Sequence, residues 1–275
     1  NKSMFAREGL PNLYDLFFNH EWTWDKMLEF AKKLTKDTDG DGIIDQWGIG
    51  GAAQRLERAL VISNNAHYID ISDKDNPKFA LTTPNAIEAL QMHQDLILKH
   101  QVVSMTPEGA PWDYNVQSFI EGKLGMLVGQ IWKIDNIKDN MQDEYGIVLF
   151  PMGPRAKEYT SELTGHFVKT IPITVKNPKE VAIVEDAMTE PHPDEGPDDW
   201  REYYELRVTD EESIQTVETI WDKQLSVFNL QWAFGIDDVF YTIEYEVMSG
   251  NKTPTAAVQE LAQEAQMRIN DSLRF

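Results

Sequence analysis

Cysteine is absent from the 275 residues of the sequence. This absence excludes disulfide bonds, thiolate metal sites and cysteine nucleophiles together. Long apolar segments are missing as well: no run approaches the roughly 20 residues that span a bilayer, and residues 1–10 have no apolar signal core. We therefore expect a soluble mature chain, or one from which an export segment has been removed.

Positive charge is scarce, since 25 Lys and Arg residues stand against 46 Asp and Glu residues and give a formal net charge of −21. Such a chain repels the phosphates of nucleic acid and the anionic lipids of a membrane surface, so neither is an expected partner. Several catalytic signatures are also missing: the Gly-x-Ser-x-Gly elbow, the His-Glu-x-x-His zinc motif and the Gly-x-x-x-x-Gly-Lys phosphate loop.

Hydrophobic periodicity predicts several helices. Thr23–Lys36 has the spacing of an amphipathic helix, with Thr23 able to cap it. A second helix is expected from Thr83, a cap followed by proline, to about His100. Helical patterns return at residues 211–228 and 236–275.

Short apolar runs predict buried strands at Lys123–Val128, Tyr145–Phe150 and Val168–Val175. Strands that alternate with helices indicate an α/β sheet. The segment Thr189–Trp200 combines prolines with Asp and Glu residues, which is typical of an exposed linker or long loop.

An acidic loop follows the first of these helices. Carboxylates stand at positions 1, 3, 5 and 9 of a loop that begins at Asp37, and glycine stands at position 6. An EF-hand loop wraps oxygen ligands around Ca²⁺ with this spacing, and crowded carboxylates repel one another unless a cation binds. Position 12 is Gly48 rather than a bidentate Glu, so an ordinary Asp-Gly turn is the alternative. The sequence predicts a structural calcium site whose ligands are Asp37, Asp39, Asp41, Ile43, Asp45 and Gln46.

Four stretches of the sequence resemble a known family. Asn12–Gly48 has a Thr-Trp-Asp helix start, a Lys-Lys-Leu-Thr helix end and an Asp-x-Asp-Gly-Asp-Gly loop. The other stretches are Asn85–Val103, the Phe-x-x-Gly-Lys-x-x-Met run from Phe119 with the tryptophan after it, and Gly250–Ile269. Together they resemble the type 1 extracellular solute-binding proteins that serve carbohydrate importers.

This resemblance implies a periplasmic-binding-protein-like α/β fold of type II, in which two lobes joined by hinge crossovers close on a ligand. Asn1–Gly9 resembles a segment just after the first crossover, so the N-terminal lobe is expected to be incomplete. Residues 1–148 would form mainly the C-terminal lobe, with the calcium loop and a cleft wall. Residues 149–235 would hold the crossover, the remaining N-terminal-lobe elements and the acidic loop, and residues 236–275 the C-terminal helices.

The resemblance also implies a carbohydrate site. Sugar recognition needs flat aromatic faces against the C–H face of the ring and polar groups around its edge. Trp132 matches the tryptophan of the family motif, and Trp112 and Tyr114 stand on a loop, where binding residues are common. The expected ligand-binding residues are Trp132, Trp112, Tyr114, Trp232 and His166, and a structural role is the alternative for each.

The expected function is therefore binding of a sugar or oligosaccharide outside the cell and its delivery to the membrane permease of an ABC importer, without catalysis. A secreted glycoside hydrolase and a calcium-stiffened interaction domain without a small ligand are the alternatives. We expect a monomer that is either a cell-surface lipoprotein or periplasmic. A neutral sugar is the expected ligand, because the sequence alone does not place Arg55, Arg58 or Lys133 in a cleft.

Overall fold

The computed structural model describes residues 1–51, 53–163, 170–189, 199–223, 225–228 and 230–273. Helices are the commonest element in this part of the chain. In order they are α1 (Lys2–Arg7), α2 (Leu13–Phe18), α3 (Trp24–Leu34), α4 (Ala53–Ser63), α5 (Pro84–Gln94), α6 (Tyr114–Ile120), α7 (Ile134–Asn140), α8 (Pro178–Thr189), α9 (Asp199–Glu205), α10 (Glu211–Lys223), α11 (Asp237–Met248) and α12 (Pro254–Ser272). A π-helical turn, Asp95–Lys99, continues α5.

The strands are short. They are β1 (Trp47–Gly50), β2 (Ile69–Asp70), β3 (Lys78–Phe79), β4 (Val103–Ser104), β5 (Leu124–Leu127), β6 (Ser161–Leu163) and β7 (Ser226–Phe228). The central sheet has the order β4-β1-β5 and is parallel throughout. Two further pairs lie outside it: β2 with β3, which are antiparallel, and β6 with β7, which are parallel. Parallel strands joined through helices confirm the α/β class predicted from the sequence.

Helix α3 packs directly on the backbone of the central sheet. A Cβ atom added to Gly48 in β1 would lie 2.4 Å from the Cα atom of Ala31, and one added to Gly125 in β5 would lie 2.6 Å from a methyl group of Leu34. Ala31 and Leu34 are fully buried. These two glycines therefore let the helix approach more closely than any side chain would allow.

The main hydrophobic core extends from the first helix of the chain to the last. Met4, Leu56, Leu90, Phe240 and Ile269 all belong to one cluster of buried side chains. Helices α4, α5, α11 and α12 pack against one another within it. No helix in the described part of the chain is both long and apolar enough to cross a membrane.

The two best-defined sequence predictions for helices are confirmed, although their caps differ from expectation. Thr23 and Thr83 take the N-cap positions of α3 and α5, with proline at the start of α5. Neither threonine side chain makes a capping hydrogen bond to any described residue. The Thr83 hydroxyl instead donates to the carbonyl of Ala80 at 2.9 Å.

Of the three predicted strands, Lys123–Val128 is confirmed as β5, and the other two predictions are wrong. Residues 145–150, all described, form no strand: the Ile147 amide donates to the Ser213 hydroxyl at 3.0 Å, and the Leu149 carbonyl accepts from the Trp22 indole at 3.0 Å. These backbone groups bond to side chains and not to a neighbouring strand. Residues 170–175, the described part of the third segment, are also outside any strand. The division of the chain at residues 148 and 235 stays a prediction.

Candidate functional site

The chain segments that follow the three strands of the central sheet all begin at the same edge of that sheet. Because β4, β1 and β5 are parallel, their carboxyl ends lie at the same edge. A loop that carries Trp112 follows β4, helix α4 with Arg55 follows β1, and the 3₁₀ turn Ile131–Lys133 follows β5. Ligands of open α/β sheets bind in the crevice outside the carboxyl ends of the strands. We therefore expect a ligand site at this edge.

Two tryptophans lie side by side at this edge. The ring centroids of Trp112 and Trp132 are 6.1 Å apart, with 31° between the ring planes. Trp112 is 75% exposed and Trp132 is 52% exposed. The two rings form one wall of a cleft of about 340 Å³, which also includes Asp113, Lys133 and Asp135. We call this the tryptophan cleft; its lining residues are Trp112, Asp113, Val116, Trp132, Lys133, Asp135 and Asn136.

Lys133 places a positive charge on both rings of the tryptophan cleft. Its ammonium nitrogen lies 4.6 Å from the ring centroid of Trp112 and 5.3 Å from that of Trp132. Cation–π attraction of this kind holds the ammonium group over the ring faces. Burial of the side chain, and then the nearby guanidinium of Arg55, lower the pKa of Lys133, while Asp113 acts in the opposite direction.

Asp135, which also lines the tryptophan cleft, is tied to helix α9 and the turn after it. Asp135 forms an ion pair with Arg207 and accepts a hydrogen bond from the Tyr203 hydroxyl at 3.1 Å. The Arg207 guanidinium also lies 3.3 Å from the ring centroid of Tyr203. These contacts fix the Asp135 carboxylate, so its position in the cleft wall is set by residues distant in sequence.

The acidic loop brings three of its carboxylates together. Ligand oxygens of Asp37, Asp39 and Asp45 lie within 4.8 Å of one another. Asp37 accepts from the backbone amides of Gly40 and Gly42, both at 2.7 Å, and these hydrogen bonds lower its pKa. The set contains only oxygen donors, which fits a hard cation such as Ca²⁺.

The other residues of the predicted calcium set are placed differently. The Asp41 carboxylate accepts from the backbone amide of Ile43 at 2.8 Å. The Gln46 side-chain amide donates to the carbonyl of Leu34 at 2.8 Å, which points its nitrogen toward α3. The structure thus assembles part of the predicted ligand set, and the ion itself stays a prediction.

A second group of ionisable side chains is buried between α4 and α11. Glu57 is 3% exposed and Glu244 is 4% exposed. The Tyr68 hydroxyl donates to Glu57 at 2.9 Å, whereas Glu244 Oε1 has no hydrogen-bond partner among the described residues. Burial raises the pKa of both carboxyls, and the charge of Glu57 raises the pKa of Glu244 further, while Arg58 opposes the shift.

The family follows from comparison with known sequences. The model of the family described as bacterial extracellular solute-binding protein matches residues 1–189. This chain belongs to that family. The description of the family names solute binding as its role.

One curated relative and two solved structures illustrate the similarity. The arabinooligosaccharide-binding protein of Halalkalibacterium halodurans is 25% identical over 137 residues, which are 50% of this chain and only 29% of the relative. A solute-binding protein of an ABC transporter from Thermotoga lettingae, solved with α-D-tagatose, has a TM-score of 0.65 at 18% identity; the match covers 98% of this chain and 69% of that one. The maltose/maltodextrin-binding domain of Bdellovibrio bacteriovorus, solved with maltotriose, has a TM-score of 0.63 at 18% identity, covering 92% and 67%. These similarities confirm the periplasmic-binding-protein-like fold of type II.

The solute-binding protein brings only part of the predicted ligand set together. Trp112 and Trp132 share one cleft, whereas Tyr114 begins α6 half-buried, and neither it nor Trp232 lines the tryptophan cleft. Trp232 lies in the 3₁₀ turn Trp232–Phe234 and is 65% exposed. His166 lies outside the described residues.

Sequence reasoning missed the charged residues of the cleft. Lys133 directly follows the motif tryptophan, and that adjacency was a usable signal. Asp135 and Arg207 had no such signal, because they meet only when the turn after α9 packs against α7.

Proposed function

We propose that this solute-binding protein binds a saccharide in the tryptophan cleft, with the sugar ring against Trp112 and Trp132. The observation that carries the proposal is the pair of neighbouring, largely exposed indoles at the carboxyl edge of the sheet. Neighbouring exposed aromatic side chains at such an edge are typical of a surface that another molecule covers. Aromatic faces suit the C–H face of a sugar, and the names of the similar proteins, which refer to arabinooligosaccharide, tagatose and maltotriose, support the same ligand class.

Polar groups around the indoles would supply the hydrogen bonds that a sugar edge requires. Asp113 and Asn136 line the cleft, and Asp135 is held in place by Arg207 and Tyr203. A carboxylate fixed by its neighbours loses little conformational freedom when a hydroxyl group binds to it, which favours affinity. Tyr114, Trp232 and His166 stay proposed contributors to ligand binding.

The test is calorimetric titration of the purified chain with arabino-oligosaccharides and maltotriose. Trp132→Ala is expected to weaken binding at least about tenfold, because a buried aromatic anchor typically carries that much affinity. Tyr245→Ala is the matched control, since Tyr245 is 60% exposed and does not line the cleft. Equal loss in both variants would refute the placement of the site. No binding by any saccharide would favour the interaction-domain alternative, and release of reducing sugar from the probes would favour a glycoside hydrolase.

We also propose that the acidic loop binds a structural Ca²⁺ through Asp37, Asp39, Asp41, Asp45, the carbonyl of Ile43 and Gln46. Three of these carboxylates already converge, and a divalent cation would offset their mutual repulsion. The ion would stiffen the loop that follows α3 and would take part in no reaction.

The calcium proposal is tested with a metal-stripped chain, by calorimetry and thermal unfolding. We expect one ion to bind and the unfolding midpoint to rise by about 5–10 °C when free Ca²⁺ is 100 times the Kd. The double substitution Asp39→Ala with Asp41→Ala should abolish both effects. The same change at Asp73 and Asp75, an exposed acidic turn elsewhere on the surface, should leave them intact. Binding that survives the first pair of substitutions would contradict the assignment.

We further propose that the protein acts outside the cytoplasm, as a monomer, either periplasmic or as a cell-surface lipoprotein, and delivers its ligand to the permease of an ABC importer. The family match supports the extracellular location and the role in solute capture. Uptake of a labelled saccharide by cells should fall when the gene is deleted, and light scattering should give the mass of one chain. Unchanged uptake would contradict the proposed role in transport, while the proposed saccharide binding would stand.

A further inference from the structure

One cationic side chain, Lys133, lines the tryptophan cleft of a chain whose net charge is −21, and Arg55 acts on it from nearby. Lys133 lies over both indole rings, and the guanidinium of Arg55 is close enough to lower the pKa of its ammonium group. Lys133 forms no ion pair with any described carboxylate. Like charges held near each other cost free energy unless an anion lies between or beside them.

The carboxylates in the neighbourhood have partners other than Lys133. Glu162 lies 4.0 Å from Arg55 and 3.8 Å from Arg58, so it is shared between two guanidinium groups. Asp135 is paired with Arg207. Asp113, the one carboxylate that opposes the shift of Lys133, also accepts a hydrogen bond from Gln117 at 3.1 Å.

The fold itself adds to this positive character. Arg55 lies in the first turn of α4, an 11-residue helix that follows β1. The amino end of a helix carries partial positive charge, and this one is at the same sheet edge as Lys133. The cationic groups therefore come from two separate chain segments that the parallel sheet brings to one place.

We propose that the saccharide bound here carries a carboxylate, as a uronic acid does, and that Lys133 binds this carboxylate beside the stacked ring while Arg55 reinforces the positive charge. The inference rests on the saccharide site proposed above. One unpaired ammonium matches a singly charged carboxylate better than a doubly charged phosphate monoester. It differs from the neutral sugar expected from the sequence, which did not place Lys133 in a cleft, whereas Lys133 lines the cleft in the structure.

The test compares trigalacturonic acid with its methyl ester, in which each carboxylate is replaced by an uncharged ester that is larger by one methyl group. Neutral maltotriose and arabino-oligosaccharides are further probes. The native chain should bind the free acid at least about tenfold more tightly than the ester, since a charge-assisted hydrogen bond is roughly twice as strong as a neutral one. The preference should weaken between about 0.05 and 0.5 M salt because the cleft is open to solvent.

Variants assign the preference to its residue. Lys133→Met keeps the apolar stem of the side chain and should bring the affinities for acid and ester within about twofold of each other. Lys133→Arg should restore most of the difference. Lys138→Met, at an exposed lysine of α7, is the matched control and should behave like the native chain.

The outcomes separate this inference from the proposed function. Equal affinity of the native chain for acid and ester would overturn the inference, as would an unchanged preference in Lys133→Met. Binding of only the neutral oligosaccharides would overturn it too, while the saccharide site would stand. Failure of all these saccharides to bind would overturn both.

Discussion

Replacing Glu244 with glutamine should make the protein more stable at alkaline pH and leave it nearly unchanged at acidic pH. Glu244 on α11 is buried beside Glu57 on α4, and its Oε1 atom has no hydrogen-bond partner among the described residues. Burial first, and then the charge of Glu57, raise the pKa of Glu244. A group whose pKa is raised by folding stabilises the fold below its unfolded pKa. That contribution is lost as the pH rises from about 4.5 through the folded-state pKa.

The size of this change in the free energy of unfolding is set by the proton that Glu244 keeps in the folded state. At pH 8 an unfolded glutamate is ionised, about 3.5 pH units above its usual pKa, and each unit corresponds to about 1.4 kcal/mol, so the upper limit is about 5 kcal/mol. Arg58 offsets part of this cost, and the uncharged amide still leaves a buried polar group to satisfy. We therefore expect Glu244→Gln to add about 2 kcal/mol to the free energy of unfolding at pH 8 and about 0 at pH 5.

The assay is urea denaturation at pH 5, 6.5 and 8, with thermal unfolding as a second readout. About 2 kcal/mol corresponds to a rise of about 4–8 °C in the unfolding midpoint for a chain of this size. Glu202→Gln, at an exposed carboxyl on α9, is the control and should shift neither measurement. A gain of the same size at pH 5 and pH 8 would refute the reasoning, because it would show that no proton is held in the native pair.

Two other predictions concern the core. Gly48→Ala should destabilise the fold by about 3 kcal/mol in urea denaturation, because its new Cβ would collide with the α3 backbone, while Gly129→Ala, whose Cβ would have only ordinary contacts at 3.7 Å and beyond, should cost less than about 1 kcal/mol. His93 is fully buried, which lowers its pKa to about 4; the unfolded value is 6.5, so stability should fall by up to about 3 kcal/mol as the pH drops from 6.5 to 4. His93→Leu should lose less stability over that interval than the native chain, and an identical pH profile would contradict a neutral buried imidazole.

Local sequence signals were sufficient for the elements whose hydrogen bonds are local. Helices α3 and α5 begin where the threonine and proline signals put them, and the apolar run before Val128 is a strand. Residues 145–150 have the same apolar character, but their backbone bonds to the side chains of Ser213 and Trp22. Nothing within six residues distinguishes a strand from an extended segment held by distant side chains.

The tryptophan cleft was predictable only in part for the same reason. The two indoles were proposed one by one, from a motif and from a loop, and their pairing depends on β4 and β5 both lying next to β1. Arg55 could not be placed near Lys133 from the sequence, because strand order is decided by contacts between residues far apart in the chain.

The assembly of the cleft from two strand ends has a consequence for folding. Trp112 follows β4 and Trp132 follows β5, and both strands pair with β1, so the cleft exists only after the parallel strands have paired. Closing such long loops is slow, and it makes the site a late product of folding. Fluorescence from Trp112 and Trp132 would thus report the formation of the native central sheet during folding. A ligand bound in the cleft would slow the loss of the native sheet, because it stabilises the folded state. Binding would therefore protect the protein against unfolding.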